Sequence, residues 1–282
     1  MSSFTAPDGT RLAYREVGQG PPLVCLAGGP GRASAYLEDL AGLSRERTLV
    51  VLDTRATGHS EVPADPASLR FDRLAGDVEA LREHLGLEQL DLLAHSAGCL
   101  VAMAWASAHP GRVGSLVLLT PTDRLHGGQR ADLPAIRLQF ADQPWYADAT
   151  DALDALADAP PSQQQQLVRQ TRPFFYGVWD ERTQAHAATA DQQSSKRAEL
   201  GFGAGLDNVD LGALVAGLGA VTAPVLVLGG GRDALTGVAS VALVAASFPA
   251  ARQVVLPDAG HFPWVDAPDA FRGAVGAFLQ AG

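Results

Sequence analysis

The stretch Leu92-Leu93-Ala94-His95-Ser96-Ala97-Gly98-Cys99-Leu100 constrains this chain more than any other. An apolar strand breaks at a serine and resumes at once as an apolar helix. Small residues at 94 and 98, two either side of Ser96, are what a tight strand-to-helix turn requires, because larger side chains would strike the backbone. Such a turn lifts the serine oxygen out of the sheet. It also aims the unpaired N–H groups of the helix N-terminus at the same spot. The spacing follows G-x-S-x-G, with Ala94 in place of the first glycine.

The surroundings of this turn alternate strands with helices. Pro7-Asp8-Gly9-Thr10 marks a hairpin turn within Phe4–Val17. Strands are expected over 22–29, 48–53, 89–94, 113–120, 224–229 and 252–256, each an apolar run bounded by turn residues. Helices are expected over 68–85, from the serine turn to His109, over 238–248 and over 268–279. This order predicts a mostly parallel sheet covered by helices on both faces. From about Asp123 to Ala220 the pattern changes to Ala, Asp and Gln, with Pro160-Pro161 and four consecutive glutamines. That stretch reads as helices and polar loops, a cap inserted after the sixth strand. The expected division is core 1–122, cap 123–220 and core 221–282.

A serine hydroxyl is a weak nucleophile at neutral pH, so Ser96 needs a base, and the base needs an orienting carboxylate. Asp233 follows the strand ending at Gly229, and His261 follows the strand ending at Leu256. In a parallel α/β sheet both would share the carboxyl edge with Ser96, where ligands bind. Asp123, also just past a strand, is an alternative carboxylate. The remaining histidines fit the base less well: His84 and His109 sit near helix ends, and His126 and His186 lie in the cap. His95 should point away from Ser96, and His59 comes too early in the order. Activity should fall in acid as the base gains its proton. Oxyanion donors are expected from the amide of Ala97 and from Gly29 or its neighbour Gly28, in the loop Leu26-Ala27-Gly28-Gly29-Pro30-Gly31.

Gly28-Gly29-Pro30-Gly31, Asp53-Thr54-Arg55-Ala56-Thr57-Gly58-His59-Ser60 and Gly260-His261-Phe262-Pro263-Trp264 together resemble proline iminopeptidases. These are α/β-hydrolases that remove N-terminal proline from peptides. The resemblance covers roughly residues 4–122 and 221–282. It implies an α/β-hydrolase fold, Ser96, Asp233 and His261 as a catalytic triad, a cap shaping the pocket, and often a monomer. Three motifs depart from the pattern: Ala27 stands where the family has histidine, Thr54 and Ala56 alter the second motif, and the serine turn is closer to that of esterases and lipases. The hydrolase core therefore carries over, and prolyl specificity does not. Within the cap, Phe174, Phe175, Tyr176 and Trp179 are candidates to line an apolar pocket or to anchor the cap. Asp180, Glu181, Asp191 and Glu199 are acids that could meet a substrate ammonium, or simply face water.

The expected activity is that of a serine hydrolase working through an acyl-enzyme on a small amide or ester, or a short peptide, without metal or organic cofactor, and the resemblance implies proline iminopeptidase-like cleavage as the first reading. The alternatives are an esterase or lactonase of specialised metabolism, or a non-hydrolytic catalyst or ligand-binding protein on the same fold. A formal charge of −10 argues against non-specific nucleic-acid binding. No apolar run approaches the roughly 20 residues that span a bilayer, and no signal peptide is visible, so a cytoplasmic protein is expected. Cys25 and Cys99 lie in apolar runs and read as packed thiols.

Overall fold

In the computed structural model, which describes residues 1–128 and 130–281, eight strands form one sheet. They are β1 Ser2–Thr5, β2 Arg11–Val17, β3 Pro22–Leu26, β4 Thr48–Leu52, β5 Leu90–His95, β6 Val113–Leu119, β7 Val225–Gly230 and β8 Ala251–Leu256. Their spatial order is β1-β2-β4-β3-β5-β6-β7-β8. The β1–β2 and β2–β4 pairs are antiparallel and all others parallel. Buried Leu and Val dominate β3, β5, β6 and β7, as expected for strands covered on both faces.

One face is covered by α1 Phe71–His84 and α2 Gly98–Ala108. Their buried residues, among them Phe71, Val78, Met103 and Trp105, pack on alternate side chains of the central strands. The expected helix over 68–85 is split. Asp65 caps a short 3-10 turn at Pro66–Leu69, and Arg70 then adopts an extended backbone before α1 begins. On the other face Trp264, Phe271, Val275 and Phe278 join Leu23, Cys25 and Val51 in a second cluster. Both cysteines are free and buried.

Between β6 and β7 the described chain forms α3 Leu133–Leu138, α4 Tyr146–Ala155, α5 Pro161–Thr171, α6 Glu181–Ala188, α7 Ala190–Gln193, α8 Lys196–Phe202 and α9 Leu211–Leu218. One extended contact interrupts this helical stretch, a bridge between Arg32 and Ser194. After β7 come α10 Ala239–Ala245, shorter than the expected 238–248, then α11 Pro263–Asp266 and α12 Pro268–Gln280. No helix among the described residues is long and apolar enough to cross a membrane.

Strand order explains where a ligand would sit. The chain runs from β3 outward to β4, then returns to lay β5 against the other side of β3. That reversal opens a crevice at the carboxyl ends of β3 and β5. Register aligns Leu26 with Ala94, His95 with Leu119, and Leu119 with Leu228. The loops that follow these strands therefore leave from one edge.

Candidate active site

Ser96 opens the turn after β5 with φ +52°, a left-handed backbone that costs a non-glycine residue on the order of 1–3 kcal/mol. Close packing holds it there: a Cβ on Gly98 would lie 2.5 Å from the Ala27 carbonyl oxygen, and one on Gly28 would lie 2.8 Å from the Ser96 Cβ. The Ser96 amide donates to the Leu119 carbonyl at 2.9 Å. Its side chain makes no hydrogen bond among the described residues, and Ser96 borders a cavity of 590 Å³ that His261 also lines.

His261 is fixed on every side except the one facing the cavity. Its Nδ1 lies 2.9 Å from Asp233 Oδ2. Its backbone N–H donates to the Phe175 carbonyl at 2.8 Å, and its carbonyl accepts from His95 Nε2 at 2.9 Å and Thr120 Oγ1 at 3.1 Å. Nε2 bonds to no protein group among the described residues and is left for a reacting atom. In unliganded sites the nucleophile–base hydrogen bond is often unformed and closes only with substrate present.

Asp233 is 1% exposed. Its Oδ1 accepts from the amides of Leu235 and Thr236, while Oδ2 accepts from Thr236 Oγ1 and faces His261. Burial pushes against its charge, yet the facing imidazole and the Thr236 hydrogen bonds hold the carboxyl below its ordinary range. Asp123 is turned elsewhere: its carboxylate meets Arg130 Nε at 3.5 Å, and it makes no hydrogen bond to His261.

Of the two glycine amides named as oxyanion donors, Gly28 is corrected. Its N–H donates to Tyr36 Oη at 2.6 Å and is no longer free. The amides of Gly29 and Ala97 donate to no group among the described residues. Gly29 borders the cavity, and Ala97 stands at the N-cap of α2. Asp53 carries the loop behind Gly29: Oδ1 accepts from the Ser34 amide and hydroxyl, and Oδ2 accepts from the His59 amide. The DTRATGHS motif is thus a scaffold for the first loop.

His95 does not simply point away. Its ring lies 4.7 Å from the His261 ring, and it borders the cavity. Nε2 faces a carbonyl and so carries the proton, which makes Nδ1 the acceptor for the Tyr36 hydroxyl at 2.7 Å. A directed chain runs from Gly28 N–H through Tyr36 Oη and His95 to the His261 carbonyl. Burial and the neighbouring His261 hold His95 well below its ordinary pKa, in the neutral form this chain needs. His186 bonds Tyr176 Oη at 2.8 Å and the Tyr36 carbonyl at 3.0 Å, and burial pushes its pKa down to about 4.

Four cap residues were candidates for an aromatic wall. Phe175 and Tyr176 line the cavity. Phe174 does not; it is 2% exposed and packs with Ile136, Phe140 and Ala234 in a separate cluster. Trp179 lies behind Tyr176, with ring centroids 5.5 Å apart, and is also outside the cavity. Glu181 is exposed in the first turn of α6, away from the cavity. Local composition could not sort these residues, because adjacent positions in a short 3-10 turn face opposite sides.

Asp266, which no motif singled out, ties the cap to the His261 loop. Its Oδ2 accepts from Gly260 N–H at 2.7 Å and from Gly177 N–H at 3.0 Å. Burial raises its pKa to about 6. The folded protein then binds the proton more tightly than the unfolded chain, whose carboxyl titrates near 4. The contribution of Asp266 to stability is greatest below that value and is lost as pH rises from about 4 to about 6. Asp266→Asn keeps an acceptor for both amides and removes the titration. Measured against the wild type, its unfolding midpoint in urea should rise as pH goes from about 4 to about 6, and a constant difference would exclude the titration.

Gly177 and Gly260 allow this contact because they lack a Cβ. A Cβ on Gly177 would lie 1.9 Å from the Asp258 carbonyl oxygen. Gly177→Ala should cost about 1–3 kcal/mol in thermal unfolding, the usual range for overpacking. Turnover should fall with it as the Phe175–His261 bond opens.

The family model of the alpha/beta hydrolase fold matches residues 21–268. Curated relatives include a proline iminopeptidase from Heyndrickxia coagulans, 31% identical over 121 residues, or 42% of each chain. Another, from Lactobacillus helveticus, is 37% identical over 117 residues, or 39% of this chain and 40% of the relative. This chain thus spans about two fifths of the length of the curated relatives it matches. Among solved structures, an esterase from Exiguobacterium antarcticum superposes with a TM-score of 0.74 at 18% identity, over 99% of both chains. The enol-lactonase from Burkholderia xenovorans LB400 superposes with a TM-score of 0.64 at 24% identity, over 99% of this chain and 100% of its own. With a family match across most of its length, this chain belongs to the alpha/beta hydrolase fold family.

Proposed function

We propose that the protein is a serine hydrolase that forms an acyl-enzyme on a small carbonyl substrate. The buried Asp233–His261 pair, beside the same cavity as an unbonded Ser96 hydroxyl, carries this reading. His261 Nε2 takes the Ser96 proton as Oγ attacks the carbonyl carbon, and the carbonyl oxygen gains charge. The amides of Gly29 and Ala97, with the N-terminus of α2, stabilise that charge. Collapse breaks the bond to the leaving group, which receives the proton from His261. Water then attacks the acyl-enzyme by the same proton path, releasing the acid and restoring Ser96.

An ester or lactone is the substrate class best supported, ahead of an N-terminal prolyl peptide. A prolyl peptide brings a secondary ammonium that needs a free acid in the pocket. Asp180 caps α6, Glu181 faces water, Asp191 is held by Arg169 and Arg172, and Glu199 pairs with Lys196. None of the four is both at the cavity and without a cation beside it.

Intact-mass measurement after a fluorophosphonate probe tests the mechanism. One adduct on the wild type, mapping to Ser96 and missing in Ser96→Ala, is expected. A folded wild type that stays unlabelled would overturn the acyl-enzyme reading. Parallel assays with aryl esters, γ-lactones and prolyl amides rank the substrate classes, with the esters and lactones ahead.

A further inference from the structure

Arg32 is a cation with no anion beside it among the described residues. It is 7% exposed and borders the candidate active-site cavity, three residues past Gly29. Nε donates to Gln193 Oε1 at 3.0 Å and Nη2 to Thr189 Oγ1 at 2.9 Å, both neutral acceptors. No carboxylate among the described residues lies within 4.0 Å of its guanidinium. Nη1 makes no hydrogen bond there, and it is not among the sealed, unpartnered side-chain atoms. The guanidinium stacks over the Tyr36 ring at 4.1 Å, so its edge and not its face is open to a ligand.

The other charges around the cavity do not compensate it. Arg172 pairs with Asp191 at 2.5 Å and Lys196 with Glu199 at 3.1 Å, which leaves Arg32 as the unmatched charge among the described residues that line the cavity. Burial works against the Arg32 cation, and Arg172 adds a like charge nearby. An unpaired buried cation is strongly unfavourable, and a site that retains one gains when an anion arrives. A planar guanidinium edge suits a planar carboxylate. Phe175, Tyr176 and Phe262 supply an apolar wall for the rest of the molecule.

Building on the serine-hydrolase reading, we propose that the substrate carries a free carboxylate in addition to its scissile carbonyl, and that Arg32 binds it. The protein is then selective for half-esters, or for lactones bearing an acid group. One free cation among the described cavity residues matches one negative charge. The carboxylate sits either on the acyl part or on the leaving group, and both place the same chemistry against Arg32.

Matched pairs of esters test this. The mono-p-nitrophenyl ester of glutaric acid and p-nitrophenyl valerate have equal chain length and differ in an acyl-side carboxylate. 4-Acetoxybenzoate and phenyl acetate differ in a leaving-group carboxylate. In the wild type, kcat/KM for the charged member of one pair should exceed that of its neutral partner, with the difference mainly in KM. Arg32→Gln should lower that ratio by about 10- to 100-fold, the usual worth of a hydrogen bond to a charged group. Arg32→Lys should restore part of it. Arg32 also joins the first loop to the cap, and the ratio within each pair cancels any general loss. If Arg32→Gln does not fold, the wild-type ratios decide. Equal rates within both pairs, or an unchanged ratio in Arg32→Gln, overturn the proposal.

Binding of glutarate to Ser96→Ala, followed by calorimetry, separates this proposal from the reading beneath it. Arg32-dependent binding in a protein that hydrolyses none of the esters would sustain the carboxylate site and overturn the hydrolase. Ester hydrolysis without any carboxylate preference would do the reverse.

Discussion

Ser96→Ala is expected to lower kcat on the best aryl ester by about 10⁴-fold or more, while the melting temperature stays close to that of the wild type. The two halves of this result come from one observation. Ser96 Oγ accepts and donates no hydrogen bond among the described residues, so its removal strands no buried partner. The backbone at φ +52° is held by the close approach of Gly28 to Ser96, by that of Gly98 to the Ala27 carbonyl, and by the Ser96 amide bond to Leu119, and alanine keeps all three. What disappears is the nucleophile alone. The residual rate reflects the free Gly29 and Ala97 amides acting on water attack. Stopped-flow kinetics with a chromogenic ester would show an initial burst in the wild type if deacylation is slower than acylation. A variant that turns over at near-wild-type rate would exclude a covalent Ser96 intermediate and favour direct attack by a water activated by a general base.

Asp233→Asn is the second large effect, a loss of about 10³- to 10⁴-fold in kcat with KM little changed. Local hydrogen bonding dictates which way the new amide turns. Oδ1 accepts from two backbone N–H groups, at 2.9 and 3.0 Å, and only an oxygen can fill that position. The NH₂ group must then take the place of Oδ2, facing His261 Nδ1. Nδ1 becomes an acceptor, the ring proton moves to Nε2, and Nε2 can no longer take the proton of Ser96. The Thr236 hydroxyl, 2.5 Å from Oδ2, turns to donate elsewhere. A shift of the His261 ring resonances in ¹⁵N-resolved spectra would report the tautomer directly. Full activity in Asp233→Asn would sink the orienting role and return Asp123 to consideration.

Much of this site was legible because its parts are local. The serine turn is written in Ala94, Ser96 and Gly98, whose sizes alone decide whether a sharp strand-to-helix turn can form. Asp233 and His261 were found by their place just past apolar runs, and a parallel sheet sends such residues to one edge. Helix ends were less legible. Arg70 breaks the expected first helix with an extended backbone because Asp65 caps a separate turn before it. The sequence put Gly29 ahead of Gly28 but kept both, since what removes Gly28 is a Tyr36 hydroxyl eight residues away.

The cap was the least legible part. Phe174 and Phe175 are neighbours of the same type, yet one fills a cluster with Phe140 and the other lines the cavity. Asp266 and Arg32 carried no motif at all.

The sequence by itself determined the fold class, the serine turn and the order in which its partners appear, because steric demands and strand-to-loop punctuation act over a few residues. Only the tertiary structure decided which groups are paired. Tyr36 reaches His95 across 59 positions, and Arg32 reaches Gln193 across 161. Whether a charge is matched or left open to a ligand depends on what packs beside it, and packing is a property of the whole fold.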